Sequence, residues 1–444
     1  MADKTEGLGM FQSVPGEYEA SKRATEGECP VSGLGAEFKP FSEEYLADPY
    51  VFFRRARAEE PVFFSAEMDA WVVMNYADIV AIFQDPGTYS AALARHPVTP
   101  LCPAAARLRD QLDITTEPSL VDEDPGTHRA HRRIFGDAFT PKRLTEIEPR
   151  IRAIVTRYID RFIEDGEADL VRQMLYEVPA LAIFIFLGAS DEDAVKVKIL
   201  GSKRALVNWG RPSDAEQVEM MTGMGEHWDF TKRLVDAAIA NPGDNYLGDM
   251  VRIQRDDPSK FTINYLYNVA FLMMFAGHET TTQASANGIK ALLQDRAEWE
   301  AICAHPGRIE NAVEEMLRID SSIFAWRRIA TRDTEIAGHA VQAGQKILLM
   351  LGSGSHDDAM FPGGAKFDHG RRNAKRNLAF GHGAHFCMGA PLARLEMKII
   401  LEELTRRLPH MHLTPGQDWE YIPTLTFRGV QKLLVEWDAG GNSD

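Results

Sequence analysis

From Thr262 to Gln294 the sequence is apolar over most of its length, with Gly277 and Gly288 as its weak points. Read as one helix rising 1.5 Å per residue, the run spans roughly 50 Å, enough to cross a whole domain. A chain holding such a rod must be built around it, so the expected architecture is mainly α with small β-sheets, an α+β fold. At the centre stands Ala276-Gly277-His278-Glu279-Thr280-Thr281. An acid there needs a purpose, because an unpaired buried carboxylate is expensive. Gly277 lets a ligand come close to the backbone, and a threonine hydroxyl can bond back to the preceding turn and loosen the ladder. Glu279 and Thr280 are therefore candidates for chemistry, whereas His278 reads as structural.

A second stretch, residues 378–408, sets Cys387 among Gly381, Gly383 and Gly389, with Phe380 and Phe386 as apolar cover on either side. The glycines permit the tight turns of a built loop. Pro391 then suits a first helical turn, and Leu392, Leu395, Ile399, Ile400 and Leu404 recur at helical spacing. A helix starting there turns its N-terminal N–H groups toward the sulfur, which favours a thiolate. Such a thiolate can be a nucleophile, a zinc ligand or an axial ligand of haem. His382 or His385 could act as base to a nucleophile, but neither sits in a recognised nucleophile signature. Zinc needs further ligands in paired spacings such as Cys-x-x-Cys, and the sequence has none.

Charge narrows the partners. Lys and Arg number 49 against 65 Asp and Glu, a net charge of -16, which disfavours nucleic acid and anionic membranes. The longest unbroken apolar stretch, Val178 to Ala189, suits a buried helix, and no stretch reaches the length of about 18 residues that reads as a membrane span. The N-terminus lacks the basic-then-apolar pattern of a signal peptide. Cys29, Cys102, Cys303 and Cys387 stand far apart, which argues against a disulfide framework and for a reducing cytoplasm. With no linker or repeat between 38 and 437, one large domain is expected, preceded by a loosely ordered lead segment at 1–37 and followed by a linker-like tail at 438–444.

Taken in order, Pro61-Val-Phe-Phe and Ala70-Trp-Val-Val-Met bracket a β-hairpin, and a helix is expected at 76–84. Residues 88–120, rich in proline, suit a long irregular loop over a functional cavity. Apolar recurrence and breakers predict helices at about 141–165, 168–187, 191–209 and 213–240. Met220, Met221 and Met224 in the last of these read as core packing more than as a ligand surface. On the helix expected at 308–320, Glu315 and Arg318 share a face and can pair. Ile323-Phe-Ala-Trp, with Phe324 and Ala325, is expected to line a cavity, as is Leu272 on the rod. A β-rich stretch follows through Leu351, and C-terminal hairpins from 411 to 437 would bring Leu425 toward the same space.

The spacing Phe380-x-x-Gly383-x-x-x-Cys387-x-Gly389 resembles the haem-binding loop of the cytochromes P450. The centre of the rod is similar to the oxygen-binding helix of that family, and Glu315-x-x-Arg318 resembles its bracing ion pair. Trp326-Arg-Arg-Ile-Ala-Thr, Leu404-Thr-Arg-Arg-Leu-Pro-His-Met and Thr426-Phe-Arg-Gly look like the haem domain of the self-sufficient bacterial P450s.

The resemblance implies a haem-thiolate monooxygenase that inserts one oxygen atom of O2 into a small apolar organic substrate by hydroxylation, O-dealkylation or epoxidation. Cys387 would ligate the iron of haem b, with Ala276, Gly277, Phe380 and Gly389 against the cofactor. Glu279 and Thr280 would deliver protons. By position, His128, Arg132, Arg328 and His385 would hold the propionates, while Arg327 would point to solvent. Electrons would come from NAD(P)H through FMN and 2Fe–2S modules that this chain does not contain, in a reductase fused elsewhere or separate. Arg132, Arg133, Arg371, Arg372, Lys375 and Arg376 could give that partner a basic face. A peroxide-driven haem enzyme and a non-catalytic haem sensor are the rival readings.

Overall fold

The protein's structure, a computed structural model, describes residues 33–137, 139–190 and 204–438. The rod forms as one helix, Ile263–Gln294, 32 residues long. Thr262 caps it, its hydroxyl accepting the Tyr265 N–H at 2.9 Å and so satisfying one first-turn donor. Leu266, Val269, Ala286, Ile289 and Leu292 are fully buried, because the rod runs through the main core instead of lying on it.

Among the described residues, the helices Val178–Leu187, Asp214–Ala240, Ile309–Ile319, Arg296–Ala304 and Ala390–Arg407 all pack against the rod. Every residue of Val178–Leu187 is buried, as expected of a helix that is apolar all round. Gly288 allows the Ile309–Ile319 helix its close approach, since a Cβ there would lie 2.5 Å from the Met316 side chain. Among the described residues no helix is long and apolar enough to cross a membrane.

The β structure is small. Strands β1 (Val62–Ser65), β2 (Ala70–Val73), β8 (Lys346–Leu349), β5 (Trp326–Ala330) and β3 (Tyr89–Ser90) form one sheet in that order. The first two are the expected hairpin, with Ser65 opposite Ala70. Strands β6 (Thr334–Ile336) and β7 (His339–Val341) pair across Ala337 and Gly338, both at positive φ. A third sheet joins β4 (Glu167–Asp169), β10 (Leu434–Glu436) and β9 (His412–Leu413). Near it a buried cluster ties the C-terminal segment to the rod: Lys290 and Arg428 both reach Asp320, at 2.9 and 3.0 Å. Burial works against that charge, yet the two cations hold the Asp320 carboxyl down at about 2.

Several expectations need correction. The segment 88–120 is not loop throughout: Pro103–Gln111 is a helix whose Pro103 occupies the first turn and whose N-cap, Cys102, accepts the Ala105 N–H. Helices at Tyr246–Asp256 and Arg296–Ala304 were not anticipated. The stretch 168–187 is broken, because Ala168 pairs with Val435 in the third sheet and a π-turn at Val171–Leu175 precedes the apolar helix. The helix expected at 141–165 ends at Ile159. The lead segment begins to fold by Gly33–Glu37, where Leu34 is buried. The rest of that segment, most of the helix expected at 191–209, and the tail beyond Asp438 lie outside the described residues.

Candidate functional site

The loop around Cys387 is closed by its own backbone. The N–H groups of Gly381, Phe386 and Cys387 donate to the carbonyls of Leu378, Gly383 and Phe380 at 2.9, 3.1 and 3.0 Å. Gly381 and Gly383 take φ of 68° and 71°, a region only glycine enters freely. The helix Ala390–Arg407 follows with Pro391 in its first turn. The sulfur faces a cavity. Although Cys387 is open to the cavity, the dense protein around it pushes the thiol above its ordinary pKa, against the pull of the Gly389 and Ala390 N–H groups and of Arg132 and Arg394. The helix end thus acts in the expected direction but is outweighed, and a coordinated metal ion would supply what is missing by displacing the proton.

Across the cavity lies the centre of the rod. Ala276, Gly277 and Thr280 line it, and the Thr280 hydroxyl donates to the Ala276 carbonyl at 2.7 Å. A Cβ on Gly277 would stand 2.6 Å from Ile183, so that position admits no larger residue without a shift. Glu279 is buried beside this wall but does not line the cavity. Its Oε1 accepts from Gln283 at 2.5 Å and its Oε2 has no partner. Burial raises the Glu279 carboxyl to about 7, despite the Gln283 hydrogen bond. His278 is structural, with Nε2 2.7 Å from the Tyr176 carbonyl.

The four groups assigned to the propionates come together on one wall: His128, Arg132, Arg328 and His385 all line the cavity. His128 and His385 stack at 3.9 Å between ring centroids, and His385 Nδ1 has no hydrogen-bond partner. Burial lowers Arg328 to about 10, with only distant help from Asp124. His385 falls to about 3 through burial and the cations around it. A wall that carries the two guanidinium groups of Arg132 and Arg328 beside two histidines, in the same cavity as a cysteine sulfur, fits a flat dianionic cofactor such as haem. Phe380 and Gly389 line the same space, and a Cβ on Gly389 would lie 3.8 Å from the sulfur.

The bracing pair is present and larger than expected. Glu315 and Arg318 are fully buried and meet at 2.7 Å. Arg371 joins them, its Nε 3.0 Å from Glu315 Oε1, which removes it from the basic outer face. Arg132 leaves that face too, because it lines the cavity; Arg133, Arg372, Lys375 and Arg376 remain exposed.

The substrate side is where sequence reading fails most. Leu272 lines the cavity, but Phe324, Ala325 and Leu425 do not. They belong to a separate core with Phe53 and Met350, in which Phe324 stacks on Phe53 at 5.2 Å. Their neighbours Ile323, Trp326 and Phe427 face the cavity instead, together with Trp209 and Phe275. Arg327 does not run to solvent: its guanidinium donates to the carbonyls of Ala94, at 3.2 Å, and His96. Met220, Met221 and Met224 are core, packed with Trp228 and Phe271.

Comparison with known proteins agrees with this geometry. The Cytochrome P450 family pattern matches residues 309–425. The chain is 32% identical over 428 residues to the cytochrome P450 monooxygenase PikC of Streptomyces venezuelae, covering 95% of this chain and 97% of that protein. An intact type IV self-sufficient cytochrome P450 monooxygenase superposes with a TM-score of 0.91 at 41% identity, covering 93% of this chain, which spans 54% of the length of that one. The heme domain of the Tepidiphilus thermophilus P450 gives 0.89 at 36% identity, covering 92% and 98% of the two chains. With a relative 32% identical over 95% of this chain and the family pattern matching residues 309–425, the chain belongs to the cytochrome P450 family of haem-dependent monooxygenases.

Proposed function

We propose that this chain oxygenates a small apolar organic substrate, with electrons delivered from NAD(P)H by a flavin and 2Fe–2S reductase, and that residues 38–437 act as one haem-binding unit. The observation that carries the reading is the composition of the cavity: Trp209, Phe275, Trp326 and Phe427 line the same space as Cys387 and Thr280. An aromatic enclosure favours a compact apolar ligand and excludes bulk water from the reacting region.

When bound, haem supplies the activation of dioxygen, which no side chain here can perform. Cys387 would hold its iron through the sulfur. Arg132 and Arg328 would neutralise the propionates, and His128 and His385 would orient them by hydrogen bonds. Thr280, on the cavity wall, holds a hydroxyl proton that it shares with the Ala276 carbonyl. Glu279, one residue earlier and raised to about 7 by burial, can carry or release a proton near neutral pH and so refill that hydroxyl from behind the wall.

A spectral binding screen against small aromatic and aliphatic compounds, followed by turnover with a surrogate reductase and isotope-labelled O2, tests the proposal. Label must appear in the product. Thr280→Ala is expected to keep substrate binding while product per NAD(P)H falls, by about 10-fold or more for a lost proton-transfer group, with the electrons lost as peroxide. Full coupling in that variant, with peroxide alone supporting turnover, would favour the peroxide-driven reading. Arg328→Ala is expected to weaken haem retention roughly 10- to 100-fold, the scale seen when a group that orients a metal site is removed. The haem-to-protein ratio after dialysis against apomyoglobin measures it.

A further inference from the structure

One cation of the cavity has no part in the site described above. Arg95 lines the space, is 2% exposed, and pairs with the buried Asp122. The pairing is side-on: Nε reaches Asp122 Oδ2 at 2.9 Å, and Nη2 reaches both carboxylate oxygens at 2.6 Å. Nη2 also donates to the Glu117 carbonyl at 3.4 Å. A guanidinium holds its five N–H donors in a rigid plane, so engagement of the Nε–Nη2 edge leaves Nη1 turned away from the carboxylate. Nη1 has no partner among the described residues.

The backbone beside Arg95 is fastened to the aromatic enclosure. The Ala94 carbonyl accepts from Trp209 Nε1 and from Arg327, both at 3.2 Å, and the Val98 N–H donates to the Asn208 carbonyl at 2.9 Å. Trp209 in turn packs on Phe427 and Phe275, at 4.9 and 6.1 Å between ring centroids. Arg95 thus brings an unspent N–H donor to the cavity that those rings line. Thr280 cannot duplicate it, because its one hydroxyl proton goes to the Ala276 carbonyl. The charge of Arg95, by contrast, is already matched. A substrate carboxylate or phosphate at Nη1 would set two anions around one cation, and an uncompensated buried charge is costly. A neutral acceptor oxygen meets no such penalty and gains a bond to a charged donor.

We propose that Arg95 determines substrate choice: its Nη1 binds a neutral acceptor oxygen, such as that of a ketone or aryl ether, and the preferred substrate is a small aromatic molecule carrying one. This deepens the oxygenase reading above and rests on it.

A matched pair of ligands tests the assignment. Acetophenone carries the oxygen, and α-methylstyrene has the same shape with a methylene in its place. Arg95→Lys keeps a cation for Asp122 but offers no second nitrogen in a fixed plane. In spectral titrations of the holoprotein that change should weaken acetophenone by about 10-fold or more, the scale of a hydrogen bond to a charged group, and α-methylstyrene by no more than about 3-fold. Benzoate should bind the wild type more weakly than acetophenone by about 10-fold or more. An unchanged ratio between the matched ligands, or benzoate binding as tightly as acetophenone, overturns the proposal. The infrared C=O band of bound, carbonyl-labelled acetophenone reads the unmodified protein directly: it should lie below its position in hexane, and a band at the hexane position overturns the proposal without any variant. Should Arg95→Lys fail to fold, Arg95→Met combined with Asp122→Asn removes the charge pair together, keeps an acceptor for the Ser119 N–H, and should show the same selective loss. Haem content should stay at the wild-type level in either protein; a fall like that expected of Arg328→Ala would make Arg95 a propionate group and overturn its role toward substrate. If neither acetophenone nor α-methylstyrene binds the wild type, the apolar-pocket reading fails and takes this assignment with it, whereas binding of both with an unchanged ratio removes Arg95 alone.

Discussion

Exchange of Cys387 for serine is expected to abolish monooxygenase turnover while leaving the fold in place. The loop owes its shape to backbone bonds at Leu378, Phe380 and Gly383 and to two glycines at positive φ, none of which uses the sulfur. The change removes one soft ligand atom from a cavity wall, so unfolding of the cofactor-free chain should move by only about 0.5 kcal/mol, as for substitutions away from packed contacts. What disappears is the thiolate, whose electron donation favours O–O cleavage. After dithionite and carbon monoxide the wild type should display a red-shifted Soret maximum, and the serine variant should not. A serine variant that keeps that maximum would sink the assignment of the ligand.

The second large effect is on stability and lies away from the chemistry. Glu315 holds two guanidinium groups, Arg318 through two 2.7 Å bonds and Arg371 through one of 3.0 Å, and accepts the Asp368 N–H at 3.1 Å. Arg318 also donates to the carbonyls of Ser355 and Gly364, at 2.8 and 2.7 Å, and Arg371 to that of Pro362 at 2.9 Å. The cluster thereby pins the segment that leads into the cysteine loop. Glu315→Ala leaves two buried cations unpaired, which should destabilise the fold by about 3–5 kcal/mol. Denaturant unfolding of the haem-loaded protein measures this, and haem content should fall with it. A variant within about 1 kcal/mol of the parent would show that water or backbone carbonyls can replace the carboxylate.

Both effects were visible in part from the sequence, because each depends on residues that are close along the chain. Cys387 with its glycines, Glu279 with Thr280, and Glu315 with Arg318 are local patterns whose chemistry does not wait for the rest of the fold. Arg371 is different. It is one of several arginines near the loop, and only the packing against Glu315 separates it from Arg372, which stays exposed. Glu396, which lines the cavity with no partner for its Oε2, was hidden in the same way, inside a helix whose other acids, Glu402 and Glu403, pair with Arg152. Nothing in its spacing distinguishes an acid that faces a cavity from one that meets an arginine on another helix.

The errors on the substrate side have one cause. Ile323 and Trp326 line the cavity while Phe324 and Ala325 turn to the core beside Phe53, and in an apolar tetrapeptide hydrophobicity cannot say which residues point which way. The break at 168–187 likewise follows from the pairing of Ala168 with Val435, a partner far away in the chain. The missed helix at Pro103–Gln111 looked like loop because its proline marks a start as readily as a stop.

The sequence by itself determined the rod, the ligand loop and the order of the motifs, since each is set by periodicity or by residues within a few positions of one another. The tertiary structure alone decided which side chains share the cavity, which cations lost their place on the surface, and where a carboxyl was left without a partner. Those are differences in burial and pairing between distant segments, and burial is fixed only once the whole chain has closed around its core.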